Sequence, residues 1–131
     1  MFKRIDHVEI VTDRPDETVR FYTETLGFTV RQRDRIVRPG TDTALNLVYL
    51  DLGGTTVEII TYEGVAVSPK PELEHLGYRM IAIEVEDMRT ALAYLKEKGV
   101  EPVWGPMYRD HYARAEIADP NGYRIELRDW F

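Results

Sequence analysis

Two halves of the chain carry the same order of signals. Residues 4–12, with Val8, Ile10 and Thr12 at period two, read as a strand, and residues 15–25 read as a helix with Pro15 near its start and Gly27 just past its end. Strands follow over 28–35, near 43–52 and over 55–62. The second half repeats this order, with a strand over 78–86, a helix over 87–98 closed by Gly99, and strands over 100–104, near 112–118 and over 122–129. His7 and Met80 lie 73 positions apart, Gly27 and Gly99 lie 72 apart, and Glu58 and Glu126 lie 68 apart, the slow drift that duplication followed by loop deletion leaves. Asp13 and Asp87 are both placed to start their helices, and the Gly53-Gly54 turn before one last strand matches Asn121-Gly122 before the other. Residues 63–77, with Pro69 and Pro71, read as a linker with a short helical turn. The expected organisation is α+β: a βαβββ module over 1–62, the linker, and a second βαβββ module over 78–131, together one domain.

Composition narrows what such a chain does. It has 131 residues, 44% of them hydrophobic and 31% charged, and its apolar runs are only a few residues long, which argues against a membrane-spanning helix. Seventeen basic against 23 acidic residues leave a net charge of −6 with the signs interspersed, a poor match to nucleic acid or to anionic lipid. The absence of cysteine removes disulfides, thiol nucleophiles and thiolate metal sites, and the N-terminal "MFKRIDHV" runs into a strand without a signal-type apolar stretch, so a cytoplasmic location is expected.

Strand parity then marks a face. If Val8 and Ile10 face a core that takes up the helix stripe of Val19, Tyr22 and Leu26, then His7 and Glu9 stand on the other side. By the same parity Glu58 alternates with Val57 and Ile59, Glu126 alternates with Ile125 and Leu127, and Met80 alternates with Ile81. A single histidine or glutamate on a strand is usually an ordinary solvated residue; the equivalent placement of Glu58 and Glu126 makes the set a candidate. Two carboxylates converging on one cavity with His7 would repel unless a proton or a cation sat between them, which favours a metal.

The segments "IDHVEIVTD", "RFYTETLGF", "GGTTVEII", "MIAIEVEDM" and above all "IADPNGYRIEL" resemble the vicinal oxygen chelate superfamily of glyoxalase I, bleomycin resistance proteins and extradiol dioxygenases, over essentially the whole chain. The resemblance implies paired βαβββ modules forming an open, eight-stranded, cup-shaped barrel around a divalent metal (Ni, Zn, Co, Mn or Fe). It places metal ligands on His7, Glu58 and Glu126, and puts Met80 where glyoxalases and dioxygenases usually have histidine. A thioether is a poor partner for such metals beside carboxylates, so Met80 is expected to be an apolar wall that contacts substrate, with His75 and His111 as possible replacement ligands.

The expected function is that of a metal-dependent, glyoxalase I-like lyase or isomerase, of the lactoylglutathione lyase or epimerase type, moving a proton next to a carbonyl of a small substrate chelated through vicinal oxygens. Glu126 or Glu58 would be the base, with Glu9 a partner for the other ring nitrogen of His7. Expected substrate contacts are Arg38, Asn46, Tyr49, His111, Tyr112 and Arg114, with Trp104 and Tyr108 as an aromatic wall and the four arginines of residues 31–42 in a hairpin connection near the mouth. The alternatives are a metal-free drug-sequestering protein of the bleomycin-resistance type and, further off, a dioxygenase. The resemblance also implies a homodimer.

Overall fold

The structure is a computed structural model that describes residues 1–72 and 74–131, so Leu73 of the expected linker lies outside the described residues. The chain divides into two compact units, Met1–Pro69 and Lys70–Phe131, with the boundary inside the residues 63–77 read as a linker. Each unit is a βαβββ module built on one four-stranded mixed sheet.

In module one, β1 (Val8–Val11) runs parallel to β4 (Thr55–Tyr62), which pairs antiparallel with β3 (Ala44–Leu52), and β3 in turn with the edge strand β2 (Thr29–Val37). Val8 pairs with Val57 and Ile10 with Ile59, so these residues share one face, while Glu9 and Tyr49 both stand opposite Glu58 on the other. The helix lies over the Ile10 side: Thr12, of the same parity, shares a 3.1 Å hydrogen bond with Thr18 of α1 (Pro15–Arg20). Buried Val57, Ile59, Val48 and Leu50, with Val19 and Tyr22, form this core. Burying side chains of this size contributes roughly 1.5–3 kcal/mol each.

In module two, β5 (Ile81–Glu84) runs parallel to β8 (Arg124–Trp130), followed antiparallel by β7 (Tyr112–Ala118) and the edge strand β6 (Trp104–Tyr108). Ala113, Ala115, Ile117, Ile125 and Leu127 are buried with Met88 and Leu95 of α2 (Met88–Glu97). Asp129 fixes the helix from that face by accepting the backbone N–H of Met88 at 2.9 Å. The remaining face carries Arg114, Glu116, Arg124, Glu126 and Arg128.

Several boundaries differ from expectation, each for a local reason. The first strand of each module is four residues long instead of nine, because ladder pairing with β4 or β8 covers only those four, closed by single bonds from the Thr12 N–H to the Ile60 carbonyl and from the Val85 N–H to the Arg128 carbonyl. Residues 15–25 are helical, but Phe21–Thr25 winds as a π-helix. Asp87 caps α2 by accepting from the Thr90 N–H at 2.7 Å, whereas Asp13 does not cap α1; the Thr12 hydroxyl accepts the Arg14 N–H instead. The strand expected over 100–104 forms over Trp104–Tyr108, because the Val100 N–H closes the helix by bonding the Leu95 carbonyl. Gly105 (φ +81°) sits against the next strand; a Cβ there would lie 3.0 Å from the Arg114 carbonyl oxygen. No helical turn forms among the described linker residues, and no helix of the described residues is long and apolar enough to cross a membrane.

Candidate functional site

His7 stands one residue before β1, where the parallel pairing of Glu9 with Glu58 carries both carboxylates to its ring. His7 Nε2 lies 2.9 Å from Glu58 Oε2 and 3.4 Å from Glu9 Oε1, and the three donor groups lie within 4.8 Å of one another. On its other side, His7 Nδ1 faces Asp6 Oδ2 at 3.0 Å. The hydrogen bond to Asp6, supported by Glu9 and Glu58, raises the imidazole above its ordinary pKa, and the bond to His7 lowers that of Asp6. Glu58 is buried at 4% exposure, so its charge needs a cationic partner close by. Tyr49, directly across from Glu58, hydrogen-bonds to that carboxylate and sets its ring edge to His7 at 6.4 Å. Burial first and the Glu58 charge second raise the phenol pKa, which keeps Tyr49 a neutral donor. A bulge in β2 sets Arg31 and Gln32 against Tyr49, with the Arg31 guanidinium 5.2 Å from the Tyr49 ring centre and 3.3 Å from Asp51.

This donor set suits a divalent cation. One imidazole and two carboxylates form an open set of the kind that leaves room for substrate. Asp6 on Nδ1 is the arrangement that orients a ligating histidine and frees Nε2 for a metal. Glu9, read from the sequence as a partner of the ring, is itself one of the three grouped donors.

Glu126 is engaged quite differently. Arg114 Nη2 lies 2.9 Å from Glu126 Oε2, and Arg128 donates through Nε at 2.8 Å and through Nη2 to Glu126 Oε1. Glu116, directly across the strand pair and 4% exposed, faces Arg114 at 3.0 Å and Arg79 and Arg124 at 3.5 Å. A carboxylate held between two guanidinium groups is a weak ligand for a cation, because its lone pairs and its charge are already used.

The other residues singled out in the sequence fall in several places. Asn46 pairs across from Thr61, on the face opposite Glu58, and donates to Glu63 Oε1 at 2.9 Å beside Arg35; the structure does not bring it together with Tyr49. Arg38 is exposed in the turn after β2, where its carbonyl accepts from Thr41. Met80 is half-buried, its sulfur 3.4 Å from Arg79 Nη1. His75 is exposed and donates from Nδ1 to the Leu76 carbonyl, and His111 is exposed with its carbonyl accepting from Phe131. Tyr112 stacks near Trp130 with the Arg128 guanidinium 4.7 Å from its ring centre, and Trp104 lies 4.8 Å from Arg114, while Tyr108 meets Arg89 of α2. The residues 31–42 read as a connection belong mostly to β2, whose Arg35 pairs with Glu63 at 2.8 Å.

Sequence reading puts Arg124 and Arg128 on the face of Glu126 without giving them a role, and gives none to Asp6, Glu116 or Arg79. The alternation Arg124-x-Glu126-x-Arg128 beside Arg114-x-Glu116 was the available signal, because charges two apart on paired strands share a face.

A family model described as the glyoxalase/bleomycin resistance protein/dioxygenase superfamily matches residues 4–127. No curated protein matches the chain significantly. Among solved structures, a glyoxalase family protein from Bacillus cereus aligns with TM-score 0.84 at 20% identity, covering 100% of this chain and 96% of that one. The trypanothione-dependent glyoxalase I of Leishmania major aligns with TM-score 0.76 at 28% identity, covering 98% and 87%. TnmS3, an antibiotic binding protein from a Streptomyces species, aligns with TM-score 0.66 at 22% identity, covering 99% and 100%.

Proposed function

Because the chain belongs to the glyoxalase/bleomycin resistance protein/dioxygenase superfamily, we propose that it is a divalent-metal-dependent enzyme of the glyoxalase I type, moving a proton next to a carbonyl of a small substrate. The observation that carries this reading is the grouping of His7 Nε2, Glu9 and Glu58 within 4.8 Å, with Asp6 holding the far side of the imidazole. A bound divalent ion would supply Lewis acidity toward vicinal oxygens of the substrate. His7 and Glu58 are the ligands expected from the sequence; Glu9 takes the place expected of Glu126, whose charge Arg114 and Arg128 already balance. Glu58 is the candidate base: it is buried, and the neutral Tyr49 hydroxyl beside it can steady the carboxylate and return a hydrogen bond when it takes up a proton. Likeness to the Leishmania glyoxalase I supports the same class of chemistry. Assembly as a homodimer belongs to the same proposal, and solution mass reads it.

Metal content tests this directly. Protein stripped and reloaded with Ni²⁺, Zn²⁺, Co²⁺, Mn²⁺ or Fe²⁺ should hold about one ion per chain, and His7→Ala should hold none while remaining folded. α-Hydroxycarbonyl compounds and thioesters are the substrates to screen on the loaded protein. A wild type that retains no ion removes the metalloenzyme reading.

The second reading is metal-free binding of a small molecule. It is favoured by Glu126 being occupied by arginines and by Met80 standing at the usual histidine position. TnmS3 shares the fold at an identity that carries the fold alone.

A further inference from the structure

We propose that the face of module two carrying Arg114 and Arg128 is a binding site for the oxyanion of a small molecule, a carboxylate or a phosphate. Four guanidinium groups, from Arg79, Arg114, Arg124 and Arg128, bond two carboxylates, Glu116 and Glu126, and the exposed Glu84 stands at the position paired with Arg128 on the same face. Even with Glu84 counted, the cluster keeps an excess of one positive charge on a chain whose net charge is −6. Three of these arginines keep only 21–26% of their side-chain surface in water, so the excess is largely shielded from the solvent that would otherwise balance it.

The existing pairs leave donors unused. Arg114 spends one nitrogen, Nη2, on both carboxylates, and its Nε is buried without a hydrogen-bond partner. Arg79 and Arg124 reach Glu116 only at 3.5 Å, the limit of a useful bond. The cluster is also held in place before any ligand arrives. Trp104 lies 4.8 Å from the Arg114 guanidinium, and Tyr112 and Trp130 lie 4.7 and 4.8 Å from that of Arg128. Planar, fixed forks with spare donors suit bidentate recognition of a carboxylate or a phosphate. The recessed position of the arginines suits a small molecule rather than a polymer. This inference does not require the metal proposed for His7.

The chain's two tryptophans, Trp104 and Trp130, both lie on arginines of the cluster, so intrinsic fluorescence reports on the site. The full-length chain, with chelator present so that the result is independent of metal, is titrated with sodium benzoate and with inorganic phosphate at constant ionic strength, against sodium chloride. The expected result is a saturable change confirmed as one site per chain by calorimetry. Saturation by benzoate alone assigns a carboxylate, and saturation by phosphate alone assigns a phosphate. Arg114→Gln and Arg128→Gln should weaken binding at least tenfold, while Glu126→Gln, by removing an internal competitor, should tighten it several-fold. If either arginine variant fails to fold by circular dichroism, Arg124→Gln and Glu126→Gln carry the test. A response to both anions no different from chloride, or affinity unchanged in the folded variants, overturns the proposal and leaves the arginines as partners of Glu116 and Glu126 alone.

Discussion

The two modules share one backbone plan and put opposite chemistry on the equivalent face. In module one that face presents His7, Glu9 and Glu58, with Leu47 and Ile60 at the next paired positions of β3 and β4. In module two the matching positions hold Met80, Ala82 and Glu126, and the next pair along β7 and β8 is Arg114 and Arg128. The opposite faces changed far less: Val57 and Ile59 in one module correspond to Ile125 and Leu127 in the other, all buried. The helix-covered face is constrained by packing, where even a methylene is felt. The other face is buried too at Leu47, Ile60, Glu58 and Glu116, but what it holds there is partly polar, a histidine with carboxylates in one module and arginines with carboxylates in the other.

The largest expected effect comes from removing the balance in module two. Glu116→Ala leaves Arg79, Arg114 and Arg124 facing one another around a buried gap, and breaking a buried ion pair by deleting one partner costs about 3–5 kcal/mol. The partial exposure of those arginines puts the expected loss near the lower end. At the matching position of module one, Tyr49→Phe removes a single hydrogen bond to Glu58 and should cost about 1 kcal/mol. Urea unfolding of both variants measures the contrast. Equal losses would mean that the two faces are bound by comparable forces and that the cluster in module two is well solvated.

The helix starts provide a sharper and smaller contrast. Asp87→Ala should cost about 1 kcal/mol by removing the acceptor for the Thr90 N–H, while Asp13→Ala should change stability by less than about 0.5 kcal/mol. Thermal melts of the two variants decide it; a loss for Asp13→Ala as large as that for Asp87→Ala would give both residues the same capping role.

That pair also marks how far the sequence can be read. The repeat, the strand parity and the meeting of His7 with Glu58 were legible, because period-two alternation assigns a face before any partner is known. The cap was legible for Asp87 and misleading for Asp13, because Thr12 beside it offers a competing acceptor that composition does not rank. The ends of β1 and β5 depend on the partner strand and not on their own residues, and β6 moved because Val100 was taken by the helix exit. The arginine pairing of Glu126 is half legible: Arg128 stands two residues away on the same strand face, whereas the Arg114 half depends on register across β7 and β8, which a single strand does not reveal.

The smallest expected effect lies on the exposed margin of module one. Glu63 accepts from Arg35 at 2.8 and 2.9 Å and from Asn46 at 2.9 Å, and these bonds, the Arg35 contribution first, lower its pKa from 4.5 to about 2. A carboxylate whose folded pKa lies below its unfolded value stabilises the fold above the unfolded value and loses that contribution as pH falls through the folded one. Glu63→Gln should therefore melt slightly below wild type at neutral pH, and the difference should shrink between pH 4.5 and about 2 and vanish below it. The group is solvent-exposed, so the gap should be small and should narrow further in high salt. In module two the arginine pairs are recessed, and the same salt series on Glu116→Ala should leave its larger deficit mostly intact. If salt erases both deficits alike, the two modules hold their ion pairs in equally wet surroundings, and the difference between the faces is one of sequence without a matching difference in energy.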